Sequence, residues 1–276
     1  MTSFRQIGII GAGRVARALA LGLAPHSAAT PMLWARSPGQ SGIAVTPRLA
    51  DLARQCDVIA IAVSDDAVAS VAADLAATLD EGRAPFVFHV SGRSGAAILE
   101  PLRAAGAWTA AIHPAMTFTG DPQTEVRRMA ATRFAVTGSS PEASAEARRI
   151  VERLGGIAVE IAEERRPLYH AALCHASNHL VTLMEGASRA LQGAGVDDPA
   201  ALLAPLVRAA LDNSLEHGFA ALSGPLLRGD DRTVEGHLDA LAADCPGLLP
   251  AYRAMALATL DTLGRTEPSE LRRKLS

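Results

Sequence analysis

Gln6-Ile7-Gly8-Ile9-Ile10-Gly11-Ala12-Gly13-Arg14-Val15-Ala16 lies near the amino end of this 276-residue chain. Its first five residues read as a short apolar strand, and an alanine-rich helical stretch follows. A strand that runs through Gly-x-Gly-x-x-Ala into a helix is the pattern that seats a dinucleotide pyrophosphate. Gly11 permits the tight turn, and Gly13 lets the backbone approach phosphates with no Cβ in the way. Ala16 lets helix and strand pack closely. Arg14 and Val15 complete the turn, and the unpaired N–H groups of the helix start face the anion.

A second strand, Pro31-Met32-Leu33-Trp34, arrives at the spacing this pattern requires. An NAD-binding chain usually places an acid at its end for the ribose 2′-hydroxyl. Here the residues are Ala35-Arg36-Ser37. A guanidinium and a hydroxyl suit a 2′-phosphate, so NADP(H) is the expected cofactor. The bland alternative for Arg36 is a solvated loop arginine.

The bulk composition narrows the class. A formal net charge of −3 and the lack of a basic run exclude general nucleic-acid binding. Cys56, Cys174 and Cys245 contain no Cys-x-x-Cys pair, which fits a reducing cytoplasm and offers no metal framework. The short apolar stretch near the amino end carries an arginine and reads as strand and turn, not as a signal peptide. No segment approaches the length of a membrane span.

From residue 1 to about 165, strand and helix patterns alternate. Asp57–Val63 and Phe86–Val90 are continuous apolar runs, as expected of strands covered on both faces. Trp108–Ile112, Arg133–Thr137 and Gly156–Ile161 are further strands. Helices are expected over 47–55, 66–79, 96–105 and 142–154, with Asp65 or Asp66, and Ser139 or Ser140, at caps. This alternation predicts an α/β fold with a doubly wound, mostly parallel sheet. After Arg166-Pro167 only helical patterns remain, over 168–192, 199–221, 232–242 and 249–263. The predicted domains are therefore 1–165, binding the dinucleotide, and 166–276, all-helical.

Ligands of such sheets lie beyond the carboxyl ends of the strands. Val63-Ser64, Ser91-Gly92 and His113-Pro114 end strands there. Val63 and Ser64 are candidates for cofactor contact, and Ser91 and His113 for the reacting centre. A second cluster reads Tyr169-His170-Ala171-Ala172-Leu173-Cys174-His175-Ala176-Ser177-Asn178-His179. His170, Cys174 and Asn178 are spaced by four and share one helix face, with Ser177 beside them. Polar groups on a packed helix cost free energy unless paired, so this stripe is either structural or functional. The His175/His179 pair lacks a third ligand, and no metal site is expected. Ser223-Gly224-Pro225-Leu226-Leu227-Arg228-Gly229-Asp230 is either a connector or a wall that meets a carboxylate through Arg228.

Taken together, these strings resemble a bacterial family of Rossmann-like reductases whose helical C-terminal domain was long labelled as of unknown function. It stands in the wider group of 6-phosphogluconate dehydrogenase, ketopantoate reductase and pyrroline-5-carboxylate reductase. The resemblance implies an NADPH-dependent reductase of a small 2-oxo acid, similar to ketopantoate reductase, with a helical domain that supports a homodimer. Relatives in that group carry a lysine on the first helix of the second domain as general acid. The only lysine here is Lys274. His170 is then the expected proton donor, Asn178 would orient the substrate oxygen, and Ser91 would bond a carboxylate or the ring carboxamide. Reduction of a cyclic imine, or a non-catalytic NADP-binding sensor, stand as the alternatives.

Overall fold

The computed structural model describes residues 4–36, 46 and 48–276. The chain divides into two compact units, Met1–His175 and Ala176–Ser276. Strands of the first unit are β1 (Ile7–Ile10), β2 (Met32–Trp34), β3 (Val58–Ile61), β4 (Phe86–His89), β5 (Trp108–Pro114), β6 (Arg133–Gly138) and β7 (Ile157–Glu160). Its helices are α1 (Arg14–Leu23), α2 (Leu49–Gln55), α3 (Val68–Ala76), α4 (Glu100–Ala104), α5 (Pro122–Met129) and α6 (Pro141–Arg153).

Among the described residues the sheet has seven strands in the order β2-β1-β3-β4-β5-β6-β7. Every pairing is parallel except β5–β6, which is antiparallel. The mostly parallel, doubly wound sheet expected from the sequence is therefore present. The order in which successive strands are laid down reverses between β1 and β3, and that switch point opens a crevice at their carboxyl ends.

The apolar runs form strands because both faces are covered. Side chains alternate along each strand. Ile7, Ile9, Val58, Ala60, Phe86 and Phe88 pack on one side with Leu19 and Leu23 of α1 and Ile150 and Val151 of α6. Ile10, Ile59, Ile61 and Val87 pack on the other with Leu52 of α2, Val71 and Leu75 of α3, and Leu102 of α4. All four positions of β1, β3 and β4 are buried. Truncating one such isoleucine to alanine costs about 2–5 kcal/mol.

One local expectation is corrected, one helix is added and one choice between caps is settled. Asp65 and Asp66 do not cap α3 with their side chains; they form ion pairs with Arg93 at 3.3 and 2.7 Å, and a tight turn over Asp65–Ala67 leads into the helix. Helix α5 was not anticipated. It starts at Asp121, whose carboxylate accepts from Thr124 N at 3.1 Å, with Pro122 in its first turn. Of the two serines before Pro141, Ser140 is the cap, accepting from Ala143 N at 3.2 Å. The expected helix over 47–55 is seen as α2; Pro47 lies outside the described residues.

Helix α7 (Arg166–Gly193) runs through the division between the units. The second unit continues with α8 (Pro199–His217), α9 (Pro225–Arg228), α10 (Asp231–Asp244), α11 (Leu249–Thr262) and α12 (Glu270–Leu275). The helix expected to run to 221 stops at His217, because Gly218 takes φ +60 and the chain tightens over Gly218–Ala221. A small core joins Val234, Leu238, Ala256, Leu260, Leu271 and Leu275. The Gly224–Asp230 string has plain structural duties. Asp230 caps α10 on Thr233 N at 3.2 Å, and Arg265 bonds the carbonyls of Leu226 and Leu227 at 2.9 and 3.0 Å. Among the described residues no helix is long and apolar enough to cross a membrane.

Candidate functional site

The carboxyl ends of β1, β2 and β3 are level, since Ile10 pairs with both Trp34 and Ile61. Beyond them lies a cleft of about 450 Å³. Its lining includes Gly11, Gly13, Arg14, Val15, Arg36, Val63 and Ser64, seven of the residues singled out from the sequence. Ala16, the eighth, is fully buried beneath it. Ser37, the ninth, lies outside the described residues.

The turn is built as the glycine pattern requires. Gly11 has φ +126, and a methyl group there would meet Ala62 O. At Gly13 a methyl group would find open space, so the backbone is accessible from the cleft. Gly13 is the N-cap of α1 and offers no capping side chain, and the first turn holds no acidic residue. The start of α1 is thus a set of N–H donors with positive dipole character and no internal anion to use it. Arg14 spans to the loop after β5, donating to Phe118 O at 3.1 Å. That loop is tied down by buried Glu125, whose carboxylate accepts from Thr119 N, Thr119 Oγ1 and Gly120 N.

Val90 also lines the cleft, and Ser91-Gly92 continue from it into a second cluster in the same unit. Gly92 separates two histidines. A methyl group at Gly92 would lie 2.6 Å from His170 Cδ2 and 3.0 Å from His113 Nε2. The His113 and His170 rings stand edge to face with centroids 6.2 Å apart. His113 Nδ1 shares a hydrogen bond of 2.9 Å with the Tyr169 hydroxyl. Cys174 Sγ lies 3.7 Å from His170 Nε2, one helical turn on. The Ser91 hydroxyl is buried with no protein partner. Such a group is costly unless a ligand or water completes it.

Beneath the cluster lies Arg166, fully buried. Its guanidinium donates to Thr137 Oγ1 at 2.8 Å and to the carbonyls of Ser91, Ala111 and Ala135 at 3.3, 3.1 and 3.0 Å. These partners come from β5, β6 and the segment just after β4, so one side chain ties three neighbouring strands together. Its partners are neutral oxygens, and its charge is felt by its neighbours. Burial first, then Arg166 and His170, push the His113 pKa down to about 4. Burial, reinforced by Arg166, does the same to His89, also down to about 4, although its bond to Gly95 opposes the change. Burial raises the Tyr169 hydroxyl, opposed by Arg166.

The tautomer of His89 follows from its bonds. Ser91 N–H donates to His89 Nδ1 at 3.1 Å, so Nε2 carries the hydrogen and donates to Gly95 O at 2.8 Å. His89 is therefore a neutral strut that holds the Ser91 backbone.

Sequence reasoning singled out Ser91, His113 and His170, and the structure brings them together around Gly92. It missed Tyr169, Arg166 and His89 as members of the site. Tyr169 stood inside the quoted string without a partner, and Arg166 marked only the end of the strands. Ser177, Asn178 and Arg228 belong to the second unit. Ser177 Oγ bonds Asn178 Oδ1 at 3.1 Å, and Asn178 and Arg228 are exposed. Among the described residues no group of His, Cys, Asp or Glu could hold a metal ion.

Residues 2–114 match the family described as a Rossmann-like domain, and residues 132–259 match the Domain of unknown function DUF2520. No curated protein matches the chain. Several solved structures share its fold. A provisionally named NADP oxidoreductase from Bacteroides fragilis is 21% identical, over 93% of this chain and 98% of that one, with a TM-score of 0.76. An imine reductase from Myxococcus stipitatus, in complex with NADP+, is 17% identical over 98% and 100%, with a TM-score of 0.67. The pyrroline carboxylate reductase of Plasmodium falciparum, with NADP bound, is 14% identical over the whole of both chains, with a TM-score of 0.60. At these identities the likeness is one of fold.

Proposed function

We propose that this protein is an NADPH-dependent reductase of a small 2-oxo acid. The observation that carries the reading is the continuity between the two halves of the first unit. The cleft over the Gly11–Val15 turn ends at Val90, and the next residues meet His113 and His170. The uncapped start of α1 would hold the pyrophosphate, and Arg36 the 2′-phosphate. Val63 and Ser64 would line the path toward the reacting end. Bound NADPH would supply a hydride to the substrate carbon.

The chain's own residues would hold the substrate and move the proton. His170 is proposed to protonate the forming alkoxide, in the absence of any lysine but Lys274. The His113–Tyr169 pair would bond the substrate oxygens, and the unpartnered Ser91 hydroxyl would complete its bonding on a carboxylate or on the ring carboxamide. The buried Arg166 cation supports an anionic substrate over a cationic one, since its field stabilises a developing oxyanion and disfavours an iminium. Cyclic imine reduction is the second reading, favoured by the shared fold with pyrroline carboxylate reductase and an imine reductase.

A homodimer is proposed as the working unit. On α8, Leu202 and Leu206 are 49 and 63% exposed on one face, and Leu211 and Leu215 are 46 and 77% exposed on the opposite face, apolar side chains that a second copy would cover. Three free thiols fit a reducing, cytoplasmic setting. The test follows NADPH absorbance with ketopantoate, other branched 2-oxo acids and pyrroline-5-carboxylate. Turnover of an oxo acid is expected. Turnover of the cyclic imine alone would replace this reading with the second. Tight NADPH binding with no turnover would leave a sensor.

A further inference from the structure

Arg36 does not stand free at the cleft mouth. Its Nη2 donates to Ser70 Oγ at 3.2 Å and lies 3.6 Å from Asp74 Oδ2. Ser70 and Asp74 are one turn apart on α3, so both face the same way. Ser70 Oγ in turn donates to Ala67 O at 3.1 Å, and Ala67 and Val71 line the cleft beside Arg36. The guanidinium is thereby drawn onto the α3 wall through one nitrogen.

We propose that Asp74, acting through Arg36, sets how strongly this protein prefers NADPH to NADH. The inference rests on the NADP reading above and adds a specificity-determining residue to it. The two neighbours have opposite effects. Ser70 is neutral and seats the guanidinium at the cleft edge. Asp74 carries a charge of the same sign as a 2′-phosphate and competes with it for the same cation. A dianionic phosphate near Arg36 must draw the guanidinium from Asp74 and tolerate the carboxylate nearby. NADH has no such group and meets no such competition. Arg36 and Asp74 are both 60% exposed at the side chain, so the effect belongs to the modest range of solvent-screened pairs.

Asp74 is a positioning residue in this account, since it acts through Arg36. The experiment titrates full-length wild type, D74N, D74E, S70A and R36A with NADPH and with NADH, reading the change in nucleotide fluorescence. D74N is expected to lower the NADPH dissociation constant by about two- to fivefold while the NADH constant moves less. D74E, which keeps the charge, should stay near wild type, and S70A should weaken NADPH by about two- to fivefold. The D74N gain should shrink as salt rises, because the competition is screened. A preference for NADPH over NADH that is unchanged or weakened in D74N would overturn the inference, as would an equal gain for both nucleotides. If wild type binds neither nucleotide, the reading beneath falls and this inference with it. If R36A alone abolishes the preference while D74N does nothing, the NADP reading stands and only the role of Asp74 fails.

Discussion

His113 and Tyr169, separated by 56 residues of sequence, meet through a hydrogen bond of 2.9 Å with their rings at 84°. Burial and the Arg166 charge keep His113 neutral near pH 7, so the pair is a neutral donor–acceptor couple beside His170. Removing the hydroxyl leaves a half-buried imidazole nitrogen without its partner. Tyr169→Phe is expected to lower kcat/KM on the oxo acid by about tenfold. Steady-state kinetics with NADPH titration would check this. A variant with wild-type turnover would remove Tyr169 from the site.

His170 sits where Gly92 leaves room for it, with Nε2 turned toward Cys174. As the proposed proton donor it should matter to the chemical step and not to nucleotide binding. His170→Ala is expected to reduce kcat by about two orders of magnitude or more, with the NADPH dissociation constant unchanged. Retained turnover would assign the proton to another group, with the Tyr169 hydroxyl next in line.

Arg166 joins Thr137 and the carbonyls of Ser91, Ala111 and Ala135. Replacement by methionine fills much of the volume but strands these acceptors away from water. Arg166→Met is expected to destabilise the protein by about 3 kcal/mol or more, seen as a lower urea midpoint. Arg166→Lys keeps the charge but not the planar fork, and should recover only part of the loss. A midpoint equal to wild type in the methionine variant would show that the bonds contribute nothing net.

How much of this was legible beforehand depends on where each signal resides. β1, β3 and β4 were legible because strands covered on both faces must be continuously apolar. The nucleotide turn was legible because Gly11 and Ala16 answer local steric demands. Helix α5 was not, since Pro122-Gln123-Thr124-Glu125-Val126-Arg127-Arg128-Met129 offers two aliphatic anchors and its start rests on one Asp-Pro cap. Arg166 was not legible as a core residue because arginine is ordinarily exposed. Its burial depends on carbonyls from strands distant in sequence. Asp65 and Asp66 read as caps because Arg93, their actual partner, lies more than 25 residues on, and no local rule links them.

His89 makes the fold acid-sensitive. Its pKa is about 4 in the folded protein, against an ordinary value of 6.5. The unfolded chain therefore binds the extra proton more readily between those values, and stability falls as pH drops from 6.5 toward 4. The loss from His89 reaches about 3 kcal/mol at the lower end. Protonating Nδ1 would also break the bond from Ser91 N–H, so the site should loosen along with the fold. Denaturant titrations at pH 7, 6, 5 and 4 should show this decline. His89→Gln is expected to remove about half of the decline in this window, since an amide can accept and donate without titrating, while His113, also near 4, keeps its own share. The same slope in the variant would place the acid sensitivity elsewhere.

Gly92 offers the sharpest separation of site from scaffold. It is buried between His113 and His170, and an added methyl group would force at least one ring to move. Those rings are side chains at the edge of the unit's core, so they can yield where backbone could not. Gly92→Ala should therefore cost little stability and much activity. The expected loss in kcat is about tenfold or more, of the size that a small misplacement of reacting groups brings. The NADPH constant should hold, because the nucleotide turn lies on other strand ends. Measuring melting temperature, NADPH binding and kcat on the same preparation decides the point. A variant that melts far below wild type would show that Gly92 serves the fold, and one with full activity would show that the two histidines need not keep their spacing.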